Sequence, residues 1–443
     1  MQIIMKLLRA SLAAFSAISW LFFCFSTSVV MMPGSASARV YLDITQAQIQ
    51  KLPFAIPPFL NSKSPGQLQQ IGQDMSDYLG KALELHGFIA LIPQAAKINK
   101  HEYDWHSLGA AYTVLGTYEI VQNSIVVEFR LLDAYKNFLE FSRRYQGQSA
   151  NYHPVLQKFC DEVILHLSGE AGISSSKIAF VSTQTGVKEI YLANVIGDEI
   201  RQVTKNNYLA LSPRFSPDAT QLAYTSYHSG NPNLYITDLA QDKSTVLFSR
   251  RKGLNMTPAW APDGKTMVLT LSKDGNPDLY LVDNTSKILK RLTNGVGINV
   301  SPSFAPDGNR IAFVSDRSGS PQIYVLDLTT NTTRRITFTG VYNTTPDWSP
   351  KGDLIAYSGK EGAYFQIFTV NADGNNVKRV TDNQSDHESP SWSPDGRQIV
   401  FSEKTAISQK IVTILLNGSK RHILFDHLKG EQSMPQWSNR TPL

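Results

Sequence analysis

Few residues in this 443-residue chain have the type and spacing to do chemistry. His101 and His106, in HEYDWH, approximate the zinc-binding pattern His-Glu-x-x-His. A zinc pair on one helical face needs a spacing of i and i+4, and these two are five apart. The segment DGNPD, 274–278, offers oxygen ligands at alternate positions, as a calcium loop does. Its counterparts elsewhere in the chain read SGNPN (229–233) and SGSPQ (318–322), which favours a turn over a metal site. Neither a Gly-x-Ser-x-Gly nucleophile elbow nor a phosphate-binding Gly-rich loop with lysine occurs. His387 stands between two acids, Asp386 and Glu388, in QSDHESP. Asp218, Asp263, Asp307 and Asp395 recur in one setting, each just after a proline. There proline presets φ, aspartate bonds the local backbone and glycine tolerates positive φ, so these carboxylates read as turn formers. Ala219 and Lys351 break the pattern in two copies, which a geometric motif tolerates and a catalytic one would not. No catalytic residue, metal or cofactor is expected.

The elements around those turns set the fold. SWSPDGRQIVFSE, starting at Ser391, is echoed by DWSPKGDLIAYSG, SFAPDGNRIAFVS, AWAPDGKTMVLTL and RFSPDATQLAYTS. The aromatics Phe215, Trp260, Phe304, Trp348, Trp392 and Trp437 follow one another at 45, 44, 44, 44 and 45 residues. Such a period marks a repeat architecture. Each unit divides into four short runs of β-branched and aromatic residues separated by Gly, Pro, Asn and Asp. The first apolar run, KIAFVS at 177–182, has no aromatic strand before it, and the last aromatic strand, MPQWS, has no apolar run after it. If the C-terminal strand supplies the missing innermost member of the first unit, the chain closes into a six-bladed β-propeller with no open sheet edge. The chain is thus expected to be mainly β, with a small α/β domain ahead of the ring.

Lys6 and Arg9, an apolar stretch from Leu12 to Met32 and Ala36-Ser37-Ala38 make residues 1–38 a secretory signal peptide. Its removal takes away two positive charges and lowers the net charge from +5 to +3. That balance lacks the basic footprint of a nucleic-acid binder. Cys160 alone remains, so an exported chain would rely on its core and not on an internal disulfide. Residues 39–170 are expected to form the α/β domain, and 171–443 the propeller. In the former, LPFAIPPFL and FIALIPQ read as strands, and a hairpin turns around Gln122 to Ser124. Ser64 as N-cap, Pro65 and Gln67 signal the start of a helix that Gly87 stops. HPVLQKFCDEVILHLSG is a second amphipathic helix.

Six segments join one blade to the next, and in a propeller they crowd one face around the central channel with the loops between second and third strands. They contribute Leu209, Leu211, Leu254, Met256, Val300, Tyr342 and Met434 among amides and hydroxyls. Apolar anchors in a polar surround suit protein recognition better than catalysis. A secreted propeller hydrolase, which would need acids or histidines converging in the channel, and a passive scaffold are the alternatives.

An exported chain with an α/β domain followed by six W-S-P-D-G…I-A-F…I-Y repeats resembles the TolB family, periplasmic propeller proteins of the Tol–Pal system. The resemblance extends from YLDITQAQIQKLPFAIPPF through MPQWS. It implies a non-enzymatic monomer in the periplasm that binds the peptidoglycan-associated lipoprotein Pal on the channel face and communicates with the inner-membrane protein TolA. Such a protein supports outer-membrane integrity and constriction in cell division, and meets the envelope through its partners. By position, the Pal-facing residues would be Leu211, Asn255, Met256, Thr257, Asn299, Val300 and Ser301, with Thr344, His387 and Glu388 added from equivalent loops. The mobile N-terminal peptide that signals to TolA in the family would correspond to Arg39 to about Gln50, including Val40, Tyr41, Leu42, Asp43 and Ile44. Leu254 and Ser301 depart from the family, which has a histidine and an acid there.

Overall fold

The first strands form in short apolar runs such as LPFA and IAL. The computed structural model describes residues 51–64, 69–240 and 245–440; the signal peptide expected over residues 1–38 and the segment from Arg39 to Gln50 lie outside them. β1 (Leu52–Ala55) lies between β3 (Ile89–Leu91) and β4 (Tyr112–Val121), and β5 (Ser124–Asp133) and β6 (Phe138–Gln148) complete that path. The short β2 (Leu60–Asn61) pairs with β4. Two helices, α1 (Gln70–Glu84) and α2 (His153–Ser168), cover this sheet. Met75, Leu79 and Leu83 of α1 and Leu156, Phe159 and Val163 of α2 are fully enclosed with Phe54, Val127 and Phe129. Phe129 stacks on Phe159 at 4.3 Å, tying the sheet to α2.

Helix α1 starts later than its capping signature implies. Its N-cap is Gln69, in extended conformation, not Ser64. The Gln69 side chain instead accepts hydrogen bonds from the Tyr118 hydroxyl at 2.6 Å and from Asn61 at 3.2 Å. A tertiary contact to the sheet has overridden a local preference.

Six four-stranded sheets follow, each running from an inner strand outward. The inner strands are Gln432–Trp437, Ala210–Phe215, Asn255–Trp260, Asn299–Phe304, Asn343–Trp348 and Asp386–Trp392. They are taken below as blades one to six. Blade one joins the C-terminal strand to Lys177–Ser182, with Trp437 opposite Ile178 and Gln432 opposite Ser182. The expected closure of the ring is therefore present. In the turns, the aspartates serve the backbone: Asp263 accepts from the Lys265 amide at 2.9 Å and Asp307 from the Asn309 amide at 2.8 Å. Gly264, Gly308, Gly352 and Gly396 hold φ between 67° and 79°, and Ala219 takes 57° where glycine is missing.

The segment from Gly169 to Ser176 connects the α/β domain to the ring, and a buried polar knot fixes it. The Asp161 carboxylate accepts from the amides of Ser174 (2.7 Å) and Ser175 (3.1 Å) and from the Ser175 hydroxyl (2.6 Å). His86 faces the carbonyls of Ala82 and Leu83 with Nδ1, so that nitrogen must carry the proton, and Nε2 accepts the Ile173 amide at 3.1 Å. The Ser174 hydroxyl donates to Cys160 at 3.1 Å. Although ligand atoms of His86, Cys160 and Asp161 lie within 4.8 Å of one another, all three are committed to these bonds. Further ties come from Gln398 to the Leu85 carbonyl (2.9 Å) and from Arg440 to the carbonyls of Gly172 (2.6 Å) and Ala171 (2.7 Å).

Burial pushes the His86 imidazole below its ordinary value of 6.5, against the opposing pull of Asp161 and Asp395. The folded state keeps the ring neutral, whereas the unfolded chain takes up a proton near pH 6.5. Its contribution to stability is thus full above that pH and is lost as the pH falls below it. Urea unfolding between pH 7 and 5 should show a smaller loss of stability in His86→Gln than in the native chain; equal slopes would remove His86 as the source.

Candidate protein-binding face

Every inner strand contains the same irregularity. The pairing slips by one residue between Leu211 and Arg214, Met256 and Ala259, Val300 and Ser303, Thr344 and Asp347, Glu388 and Ser391, and Ser433 and Gln436. The extra residue is Ser212, Thr257, Ser301, Thr345, Ser389 or Met434, each with φ between 44° and 57° and each followed by proline. Proline has no N–H to give a ladder, and a bulge is where a strand tolerates it. A threonine at positive φ is an uncommon, strained choice, so the surrounding ring must hold it there. Hydroxyl bonds help: Thr257 to Thr270 at 2.8 Å and Thr345 to Ser358 at 2.9 Å.

The candidate residues fall into three sets of equivalent positions. Thr257 and Ser301 are bulge residues, partly open. Leu211, Met256, Val300, Thr344 and Glu388 stand just before the bulge and are also partly open. Burial, joined by the Asp386 carboxylate, pushes the Glu388 carboxyl up. Asn255, Asn299 and His387 belong to the third set, and here the structure corrects the expectation. Their side chains are shut away from solvent, at 0, 0 and 1% exposure, and cannot offer a partner their polar groups.

Asn299 and His387 latch one blade to the next. Asp278 and Gln322 begin the third strands of blades three and four, and Gln366 holds the equivalent position in the third strand of blade five. Asp278 accepts from Thr293 of its own blade at 2.6 Å and from Asn299 of the next at 2.9 Å. Gln322 repeats this with Thr337 (2.7 Å) and Asn343 (2.8 Å). Gln366 repeats it with Thr381 (2.7 Å), and His387 stands in the asparagine's place with Nδ1 at 3.1 Å. Asn255 braces its own loop, taking the Ser249 hydroxyl (2.8 Å) and Arg251 amide (2.9 Å) and donating to the Arg251 carbonyl (2.7 Å). The acids beside His387 are no catalytic set either: Asp386 accepts the Phe365 amide at 2.9 Å. Beyond them, Glu403 sits 3.8 Å from His387 Nε2 and is gripped by Arg421 at 2.6 Å. Burial raises the Glu403 carboxyl, but the nearby His387 ring and the bonds from Arg421 outweigh it and hold its pKa at about 2.

Exposed apolar residues stand on this face in blades four to six, among polar ones such as Lys252, Asn383 and Gln384. Val296 (59% exposed) and Ile298 come from the segment entering blade four, and Phe338 (69%), Val341 (72%) and Tyr342 from that entering blade five. Ile407, 95% exposed, tops the turn between second and third strands of blade six. The segments are anchored by polar bonds, as from the Ile298 amide to Asp316 at 2.6 Å and from Asn276 to the Gly297 carbonyl at 2.8 Å. Apart from Tyr342, these residues were not singled out from the sequence. A signal was available: NGVGIN and FTGVYN set apolar residues among glycines, where strand alternation gives no reason for them.

Because His387 fills an asparagine position, His387→Asn should cost about 1 kcal/mol or less in chemical unfolding. Asn299→Ala strips a donor from buried Asp278 and should cost about 1–3 kcal/mol. Equal losses for both would show that the latch is not interchangeable between blades.

Comparison with known proteins agrees with this architecture. The TolB β-propeller domain matches residues 165–441 and the TolB amino-terminal domain residues 40–138. The Tol-Pal system protein TolB of Desulfotalea psychrophila is 45% identical over 221 residues, covering 50% of each chain. That of Desulfosudis oleivorans is 36% identical over 240 residues, covering 52% of this chain and 54% of its own. The chain thus spans about half the length of the curated relatives it matches. Among solved structures, TolB from Acinetobacter baumannii superimposes with a TM-score of 0.77 at 27% identity, over 88% of this chain and 97% of that one. With its amino-terminal domain and closed ring of six blades, the chain belongs to the TolB β-propeller family.

Proposed function

We propose that this chain is a non-enzymatic adaptor of the Tol–Pal system in the periplasm, binding Pal on the channel face. In this reading Arg39 to about Gln50 signals to TolA, so that Pal occupancy at the ring biases the state of that peptide. The observation that carries the binding role is the exposed apolar cluster Val296, Ile298, Phe338 and Val341 on rigidly anchored segments around the channel. Exposed apolar groups set among polar ones are what a protein interface buries at its centre. The side chains near His387 are consumed by structural bonds, which speaks for recognition over hydrolysis. Membership of the family supports Pal and TolA as the partners in this reading.

Calorimetry with the periplasmic domain of Pal from the same organism tests this. Ile298→Arg, Val300→Arg and Val341→Arg should each weaken binding by tenfold or more, about 1.4 kcal/mol, with the melting temperature unchanged. Truncation to residues 51–443 should alter the affinity without abolishing binding. Unaltered affinity in all three arginine variants would remove this face, and unaltered affinity on truncation would remove the coupling to the N-terminal peptide.

A further inference from the structure

At the other end of the channel, by the turns that end the inner strands, lies a cavity of about 360 Å³ lined by Arg214, Trp260, Phe304, Asp347 and their equivalents. The aromatic closing each inner strand is in a non-hydrogen-bonded ladder position, because the next residue makes the bond to the second strand, as Ser216 does to Gln221 (2.9 Å) and Ala261 to Thr266 (2.9 Å). Its own amide therefore points away from its sheet, toward the preceding blade. Four junctions provide a side-chain acceptor for it. Phe215 donates to Gln436 (2.9 Å), Trp348 to Ser303 (3.0 Å), Trp392 to Asp347 (2.9 Å) and Trp437 to Ser391 (3.2 Å).

The remaining two junctions are different. The equivalent positions there are Arg214, preceding the blade of Trp260, and Ala259, preceding that of Phe304. Neither side chain can accept a hydrogen bond. The Arg214 guanidinium has five donors, and its recorded bond is from Nη1 to the Pro213 carbonyl at 2.9 Å. The opposite charge, Asp347, is on blade five across the ring; the two charges attract one another across the channel, but no direct ion pair joins them among the described residues. Its carboxylate is occupied by the Trp392 amide and faces the Ser303 hydroxyl. One arc of the cavity thus presents a guanidinium and two backbone amides with no side-chain acceptor.

We propose that this arc, formed by Arg214 and the amides of Trp260 and Phe304, is a binding site for a compact anion, either chloride or a carboxylate. The anion supplies the acceptor that Gln436, Ser303, Asp347 and Ser391 supply elsewhere, and joins blades two, three and four. Charge-assisted bonds in a partly enclosed channel favour it.

Four tryptophans, Trp260, Trp348, Trp392 and Trp437, line the cavity and report on occupancy. Iodide should quench the fluorescence of the native chain with a saturable component, and chloride or formate should compete for it; the more effective competitor identifies the natural class. Arg214→Gln should weaken that component at least tenfold. Ala259→Ser gives the Phe304 amide a protein acceptor and should weaken it several-fold with the charge intact. Quenching strictly linear in iodide, or a saturable component unchanged in either folded variant, would overturn the proposal.

Discussion

The ring exists because a strand at the end of the chain pairs with one near its middle. The Lys177 backbone amide donates to the Ser438 hydroxyl at 2.8 Å across 261 residues, and the Trp437 indole donates to the Ser176 hydroxyl at 2.8 Å across the same span. Without that pairing, blade one would lack its inner strand and two sheet edges would be left open. Loop-closure entropy grows only slowly, by about 0.6 kcal/mol per doubling of length, so a long closure is thermodynamically tolerable. Kinetically it makes the last contact among the most non-local in the molecule. Trp437 packs with Ile178, Phe180 and Ile411, so the closing strand also contributes to the core between the last blade and the first.

Closure then permits what a single blade could not maintain. The bulge residues take positive φ in six successive inner strands, and the latch residues bury polar groups between neighbouring blades. Each such feature is unfavourable in isolation, through backbone strain or desolvation. In the ring the latches at Asn299, Asn343 and His387 are satisfied by the blade beside them, while Thr257 and Thr345 bond within their own blades. That rigidity lets the connecting segments hold Val296, Phe338 and Val341 in the open, where a flexible loop would fold them against the core.

The α/β domain meets the ring at its other side, through the turns that carry Arg397 and Lys351 and the knot around His86. Arg397 and Lys351 both reach Glu170, at 3.1 and 3.3 Å, and Gln398 caps the Leu85 carbonyl at the end of α1. The apolar face and this joint lie at opposite ends of the same inner strands. Any influence of one on the other must pass through strands whose register and bulges are common to all six blades.

The sequence by itself determined the repeat, its strands and turns, and the complementary halves at its two ends. These follow from residue spacing and local backbone preference, which neighbours in the chain encode. It also revealed which segments crowd the channel. Only the tertiary structure decided which of their residues are available. Asn299 and Val300 are adjacent in sequence and both seemed fit to meet a partner, yet Asn299 is sealed against Asp278 of the preceding blade while Val300 remains partly open. Likewise the helix expected to start at Ser64 starts after Gln69, whose side chain takes the hydroxyl of Tyr118, 49 residues away. In both cases the deciding partner lies on another element, and the need to satisfy a buried polar group there outweighed what the local sequence preferred.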